Sequence, residues 1–123
     1  MRLVGIFAVS LALSGGGAAA AQGLTFMTGN KIFEVCNSSS DLNFGECIGY
    51  IKGAADGVEL TDYASVVSKV IPRSQLCLPQ TATAGQVKDV FMKYLTDHPE
   101  MRHIKANQLM MVALKTAFPC PGT

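Results

Sequence analysis

The sequence lacks most of what catalysis, metal binding or nucleic-acid binding requires. Its 123 residues carry ten Lys and Arg against nine Asp and Glu. Setting Arg2 aside with the N-terminal segment leaves nine cations against nine anions, a net charge of about zero. Generic nucleic-acid and membrane-surface binders want a basic excess, so no nucleic-acid partner and no membrane partner are expected. Only two histidines occur, His98 and His103, and five positions of separation put them about 140° apart around a helix. They cannot share a face as the H-E-x-x-H zinc motif demands. No cysteine lies in a C-x-x-C pair or three to four residues from a histidine, so zinc-site spacing is missing too. There is no phosphate loop, no G-x-G-x-x-G, and no Ser-His-Asp, Cys-His or paired-carboxylate set that stands out. The expectation is a non-enzyme with no cofactor and no metal.

Strand signals are equally sparse, because apolar residues recur at helical rather than alternating spacing. Four segments emerge. The first, 24–37, carries Phe26, Met27, Ile32, Phe33 and Cys36 and stops at the polar run Asn37-Ser38-Ser39-Ser40-Asp41. The second, 44–67, is the longest, with Asn43 as a candidate cap. A third follows Pro79 and opens on a capping box, Thr83-x-x-Gln86, ahead of the stripe Val87, Val90, Phe91, Tyr94 and Leu95. The fourth, 99–118, starts at Pro99-Glu100, residues suited to a first helical turn. It is apolar on most of its circumference, and so is expected to be the central, most buried helix. His98 reads as a turn residue and His103 as a solvated or partly packed side chain. The fold class expected is a small all-α four-helix bundle.

The N-terminus reads as an export signal. Met1-Arg2 gives a positive start, Leu3 to Leu13 is apolar apart from Gly5 and Ser10, and Ala19 and Ala21 frame an Ala-x-Ala cleavage site before Gln22. The run is too short for a spanning helix, and no cysteine follows the cleavage site, against a lipoprotein. Residues 1–21 are therefore expected to be a cleaved signal, and 22–123 one exported domain.

In an oxidising compartment four cysteines, Cys36, Cys47, Cys77 and Cys120, are expected to form disulfides. Cys36 is near the end of the first helix and Cys47 near the start of the second. Cys77 precedes the third and Cys120 follows the fourth. Neighbouring helices joined by short turns run antiparallel. Of the three connectivities open to four cysteines, the layout favours Cys36–Cys47 with Cys77–Cys120.

Two further features ask for an explanation. Gly45, Gly49, Gly53 and Gly57 recur every four residues, placing a side-chain-free strip along the second helix. Each glycine costs a helix about 1 kcal/mol relative to Ala, so the strip is read as a helix-packing face or a subunit interface. On the same helix Asp56, Glu59 and Asp62 are read as a solvated acidic face, or else a patch for a basic partner. The connection 68–79 carries Lys69, Arg73, Ser74 and Gln75 beside Pro72 and the Cys77-Leu78-Pro79 clamp. Stiffness lowers the entropic cost of binding, so these four are the candidate partner-binding residues.

Four motifs in order carry a family likeness: Cys47-Ile48-Gly49-Tyr50-Ile51-x-Gly53-x-x-Asp56-Gly57, Cys77-Leu78-Pro79, Tyr94-Leu95-x-x-His98-Pro99-Glu100, and Ala113-Leu114-x-x-x-Phe118-Pro119-Cys120. Together they resemble the Rap/Tai family, periplasmic immunity proteins of type VI secretion amidase effectors. The resemblance implies a helical, disulfide-stabilised fold and no catalysis. It also implies a job, occluding the active site of a peptidoglycan-cleaving amidase, and a homodimer as a frequent assembly. An alternative is an orphan periplasmic binding or acid-stress chaperone-like protein of the same fold, without an amidase partner.

Overall fold

The computed structural model describes residues 26–122; the expected export signal and its cleavage site lie outside the described residues. Four α-helices fill most of the described chain: α1 Gly29–Asn37, α2 Asp41–Val67, α3 Ala84–Asp97 and α4 Ala106–Ala117. Among the described residues there is no strand, only two isolated bridges, Thr28 to Lys105 and Leu76 to Pro119. The all-α bundle expected from periodicity is the fold.

Each helix starts where its chemistry permits. Thr28 caps α1 by accepting from the Lys31 N–H at 3.2 Å. At α3 the capping box forms as expected, with Thr83 N–H donating to Gln86 Oε1 at 2.8 Å and Gln86 N–H to Thr83 Oγ1 at 3.2 Å. The second helix begins at Asp41 rather than 44, its acidic first turn suiting the helix dipole. Asn43 therefore lies inside it and caps nothing; its amide donates to Ser38 Oγ at 2.9 Å.

The fourth helix departs most from expectation. Pro99–Met101 is a single 3-10 turn, and α4 begins only at Ala106. A continuous helix would need the Arg102 carbonyl for its own ladder. That carbonyl instead accepts from Asn30 N–H at 2.7 Å, and the Ile104 carbonyl from Gly29 N–H at 2.9 Å. The Ala106 N–H in turn donates to Met27 O at 2.8 Å. This crossing also explains why α1 starts at Gly29 rather than 24, since 26–28 run extended beside 104–106. The approach is too close for a side chain at position 29. A Cβ there would meet Leu109 Cδ1 at 2.6 Å and the Arg102 carbonyl oxygen at 2.8 Å. Arg102 secures the turn from its other side, donating from Nε to Leu95 O at 2.6 Å with its guanidinium 3.7 Å from the centre of the Phe33 ring.

The core joins Ile32 and Val35 of α1, Ile51, Ala55 and Val58 of α2, Phe91 and Leu95 of α3, and Leu109, Met110 and Leu114 of α4. Each of the four helices packs against the other three, so α4 is not singled out as the central one; it buries Ala106, Leu109, Met110, Ala113 and Leu114, while Val112 faces outward at 48% exposure. Both disulfides pair as the layout favoured, Cys36 with Cys47 (Cα–Cα 5.1 Å) and Cys77 with Cys120 (4.9 Å). In the chain-entropy account the long loop contributes about 4 kcal/mol and the short one about 3 kcal/mol.

The glycine strip requires a correction. Gly45, Gly49, Gly53 and Gly57 are all exposed, and a Cβ on any of them would find nothing within 4 Å. No helix of the described residues packs there, because α2 turns the opposite face, Cys47, Ile51, Ala55 and Val58, to the bundle.

Candidate functional site

Helix α2 hands over to the α2–α3 connection through a Schellman-type end. Lys69 N–H donates to Val66 O at 3.0 Å and Val70 N–H to Ser65 O at 2.9 Å. Such an end needs a left-handed residue, usually glycine, and here it is Lys69 with φ of 57°. From there Lys69, Val70, Pro72 and Arg73 are exposed, Val70 to 76%. The far end is tied down by the Leu76–Pro119 bridge, by Cys77 N–H donating to Phe118 O at 2.9 Å, and by the Cys77–Cys120 disulfide.

Between these anchors lies a buried polar knot centred on Asp62. Its carboxylate accepts from the Ser74 hydroxyl, from the Gln75 N–H at 3.2 Å to each oxygen, and from Lys115 of α4 at 3.2 Å. Lys115 also donates to Gln75 Oε1 at 3.1 Å, and Cys120 Sγ lies 3.7 Å from the Ser74 oxygen. The Leu76 carbonyl is 2.9 Å from the same hydroxyl. Ser74 has one proton to give, and the charged carboxylate is the stronger acceptor. Burial alone pushes the Asp62 carboxyl up. The hydrogen bonds from Ser74, Lys115 and the Gln75 amide, with the Lys115 charge, outweigh that and hold it below the ordinary carboxylate value.

The four candidate binding residues therefore divide. Ser74 is half-buried and spends its hydroxyl on the knot, and Gln75, though exposed, is committed to Asp62 and Lys115. Arg73 donates to the Gly122 carbonyl while remaining exposed, and Lys69 is fully on the surface. The segment's outward chemistry is thus Lys69, Val70, Pro72 and Arg73: two cations around an apolar centre.

Reading Asp56, Glu59 and Asp62 as one solvated face is corrected for Asp62, which is 3% exposed. The signal was present: Cys47, Ile51, Ala55, Val58 and Asp62 follow one helical face, so a carboxylate at the fifth place had to point inward. Lys115, its partner, could not be found the same way, because the pairing joins residues far apart in sequence. Asp56 and Glu59 do face solvent, on the rim of a groove of about 430 Å³ floored by Ile51, Ala55, Leu78 and Val87. His98 closes α3 and lies against Tyr94, ring centres 4.5 Å apart, while His103 Nδ1 is 2.9 Å from the Glu100 carbonyl. Neither histidine joins the knot. Among the described residues no three His, Cys, Asp or Glu side chains gather in a metal-binding arrangement.

The family of Rap1a immunity proteins matches residues 28–120. The chain belongs to that family, as the four motifs implied. No curated protein and no solved structure matches it.

Proposed function

We propose that this immunity protein is exported to the periplasm, where it binds and inhibits a peptidoglycan-cleaving amidase delivered by type VI secretion. Membership of an immunity family supports a secreted effector as the partner. The observation that carries the mode of binding is the exposed segment 69–73, held at both ends by a helix cap and a disulfide. A segment ordered before encounter loses little entropy on docking. Lys69, the left-handed residue of the helix end, is held by that end on the exposed surface of the segment. The reading needs no catalytic group on this side: the protein acts by covering the amidase cleft.

A homodimer, implied by the family likeness, falls on the uncovered face of α2 in this proposal. There Gly49 and Gly53 expose bare backbone between Leu42 at 80% and Leu60 at 66% exposure. A second α2 laid across such a strip approaches closely and buries those leucines.

The test is an inhibition titration. The purified protein is mixed in rising amounts with the purified type VI amidase effector of the same species, and peptidoglycan cleavage is followed. Cleavage that stops at one equivalent supports the proposal. Full activity at a large excess refutes it and leaves the orphan or stress-related role, which acid-induced dye binding would then reveal.

A further inference from the structure

Asp62 is the one buried charged side chain among the described residues. Every polar contact it makes is to another part of the chain: Ser74 and Gln75 in the connection, and Lys115 on α4. It does nothing for its own helix, which carries its ladder without it. Seen from the connection, the same contacts are the middle anchor. The helix-end bonds finish with Ile71 N–H, which donates to Ser65 O at 3.3 Å, and the next anchor of bridge and disulfide begins at Leu76–Cys77. Between them Pro72 has no N–H to give, and the backbone is held by the Gln75 amide on Asp62.

We infer that Asp62 is a positioning residue for partner binding, a latch that fixes 69–75 in the shape the partner meets. It touches no partner itself. An exposure of only 3% places it behind the surface formed by Lys69, Val70, Pro72 and Arg73. Its carboxylate sets the path of Ser74 and Gln75, and through them the direction in which Arg73 and Pro72 leave the bundle. Lys115 completes the arrangement by neutralising the buried charge and holding Gln75 from the α4 side. A segment released from this latch must be ordered by the partner during docking, at a cost in affinity. The inference rests on the reading that this segment is the one the effector meets.

Two variants and two readouts test it. Asp62→Asn keeps the shape of the side chain and removes its charge; Ser74→Ala removes only the loop's hydroxyl and preserves the ion pair, so it folds even where the first does not. Amide hydrogen exchange of the free protein is expected to rise about tenfold at Gln75 and its neighbours in both variants, with Ile51 and Phe91 amides unchanged. Affinity for the purified amidase effector is expected to fall about tenfold, the scale of re-ordering one or two side chains. Unchanged exchange at Gln75 in Ser74→Ala overturns the latch. Faster exchange with unchanged affinity overturns its role in binding. Failure of the wild-type protein to bind the amidase strikes the partner reading instead, and the exchange measurement still decides whether Asp62 orders the segment.

Discussion

Helix α2 carries apolar residues on two sides, and among the described residues the bundle buries only one of them. The inner face runs Cys47, Ile51, Ala55, Val58 and ends on Asp62, all buried. Half a turn round the helix the outer face runs Leu42, Gly49, Gly53, Leu60 and Val67, with the three large side chains between 62% and 80% exposed. Apolar content is similar on both. What separates them is shape: the inner face has side chains packed into the core with α3 and α4, and the outer has a bare stretch where, among the described residues, nothing lies within 4 Å of an added Cβ. The outer face is bordered by the exposed charges Glu46 and Asp56, so its apolar residues form a narrow strip rather than a second core face.

The largest effect is expected where the inner face ends. Removing one member of a buried ion pair strands the other, so Asp62→Ala should cost about 3–5 kcal/mol in denaturant unfolding. The same pair gives a pH dependence with a definite sign. A carboxyl held below its ordinary value when folded contributes stability above that value and loses it as pH falls through the folded value. Stability from Asp62 should thus be full at neutral pH and flat through the mildly acidic range, and fall only below ordinary carboxylate values. Wild-type and Asp62→Asn unfolding curves that converge only in strong acid would bear this out. Convergence near pH 6 would break it.

Within the apolar part of the inner face, Ile51→Ala should cost about 2–5 kcal/mol, the range for emptying a closed core site. Leu60→Ala on the outer face should move stability by less than about 0.5 kcal/mol in the monomer. Similar losses at both positions would erase the distinction between the faces.

Legibility followed the range of the forces involved. Cys36–Cys47 and the Thr83–Gln86 capping box could be read because partners lie within a few residues or at opposite sides of one turn. The Cys77–Cys120 bridge spans 43 positions yet was readable, because the hairpin between brings its ends together. The start of α4 was not readable, since Arg102 and Ile104 give their carbonyls to Asn30 and Gly29, a choice made by a crossing no local pattern records. Gly29 held a trace of that crossing, but its close approach to Arg102 and Leu109 becomes visible only in three dimensions. In the α2–α3 connection the inward members were misjudged: Ser74 and Gln75 look like free polar residues until Asp62 is known to be buried behind them.

A smaller effect tests the outer face directly. With nothing within 4 Å of either position, Gly49→Ala and Gly53→Ala should each raise the thermal stability of the isolated chain by about 0.5–1 kcal/mol, through helix propensity alone. The added methyls should also weaken self-association in sedimentation equilibrium, because they hold a second backbone away. Stabilisation without any change in association would mean that the strip is not where two copies meet.

The smallest effect separates folding from function most cleanly. Lys69 sits at φ of 57°, where glycine is free of the Cβ penalty that lysine bears. Lys69→Gly should therefore leave stability unchanged or raise it by up to about 1 kcal/mol, the relief being partly offset by glycine's greater freedom in the unfolded chain. Affinity for the effector should nevertheless fall, because one of the segment's two exposed cations is gone. A residue that folding would rather exchange and binding would rather keep belongs to the surface the partner reads. Calorimetry on the two proteins checks both signs, and an affinity left intact would return Lys69 to the helix cap alone.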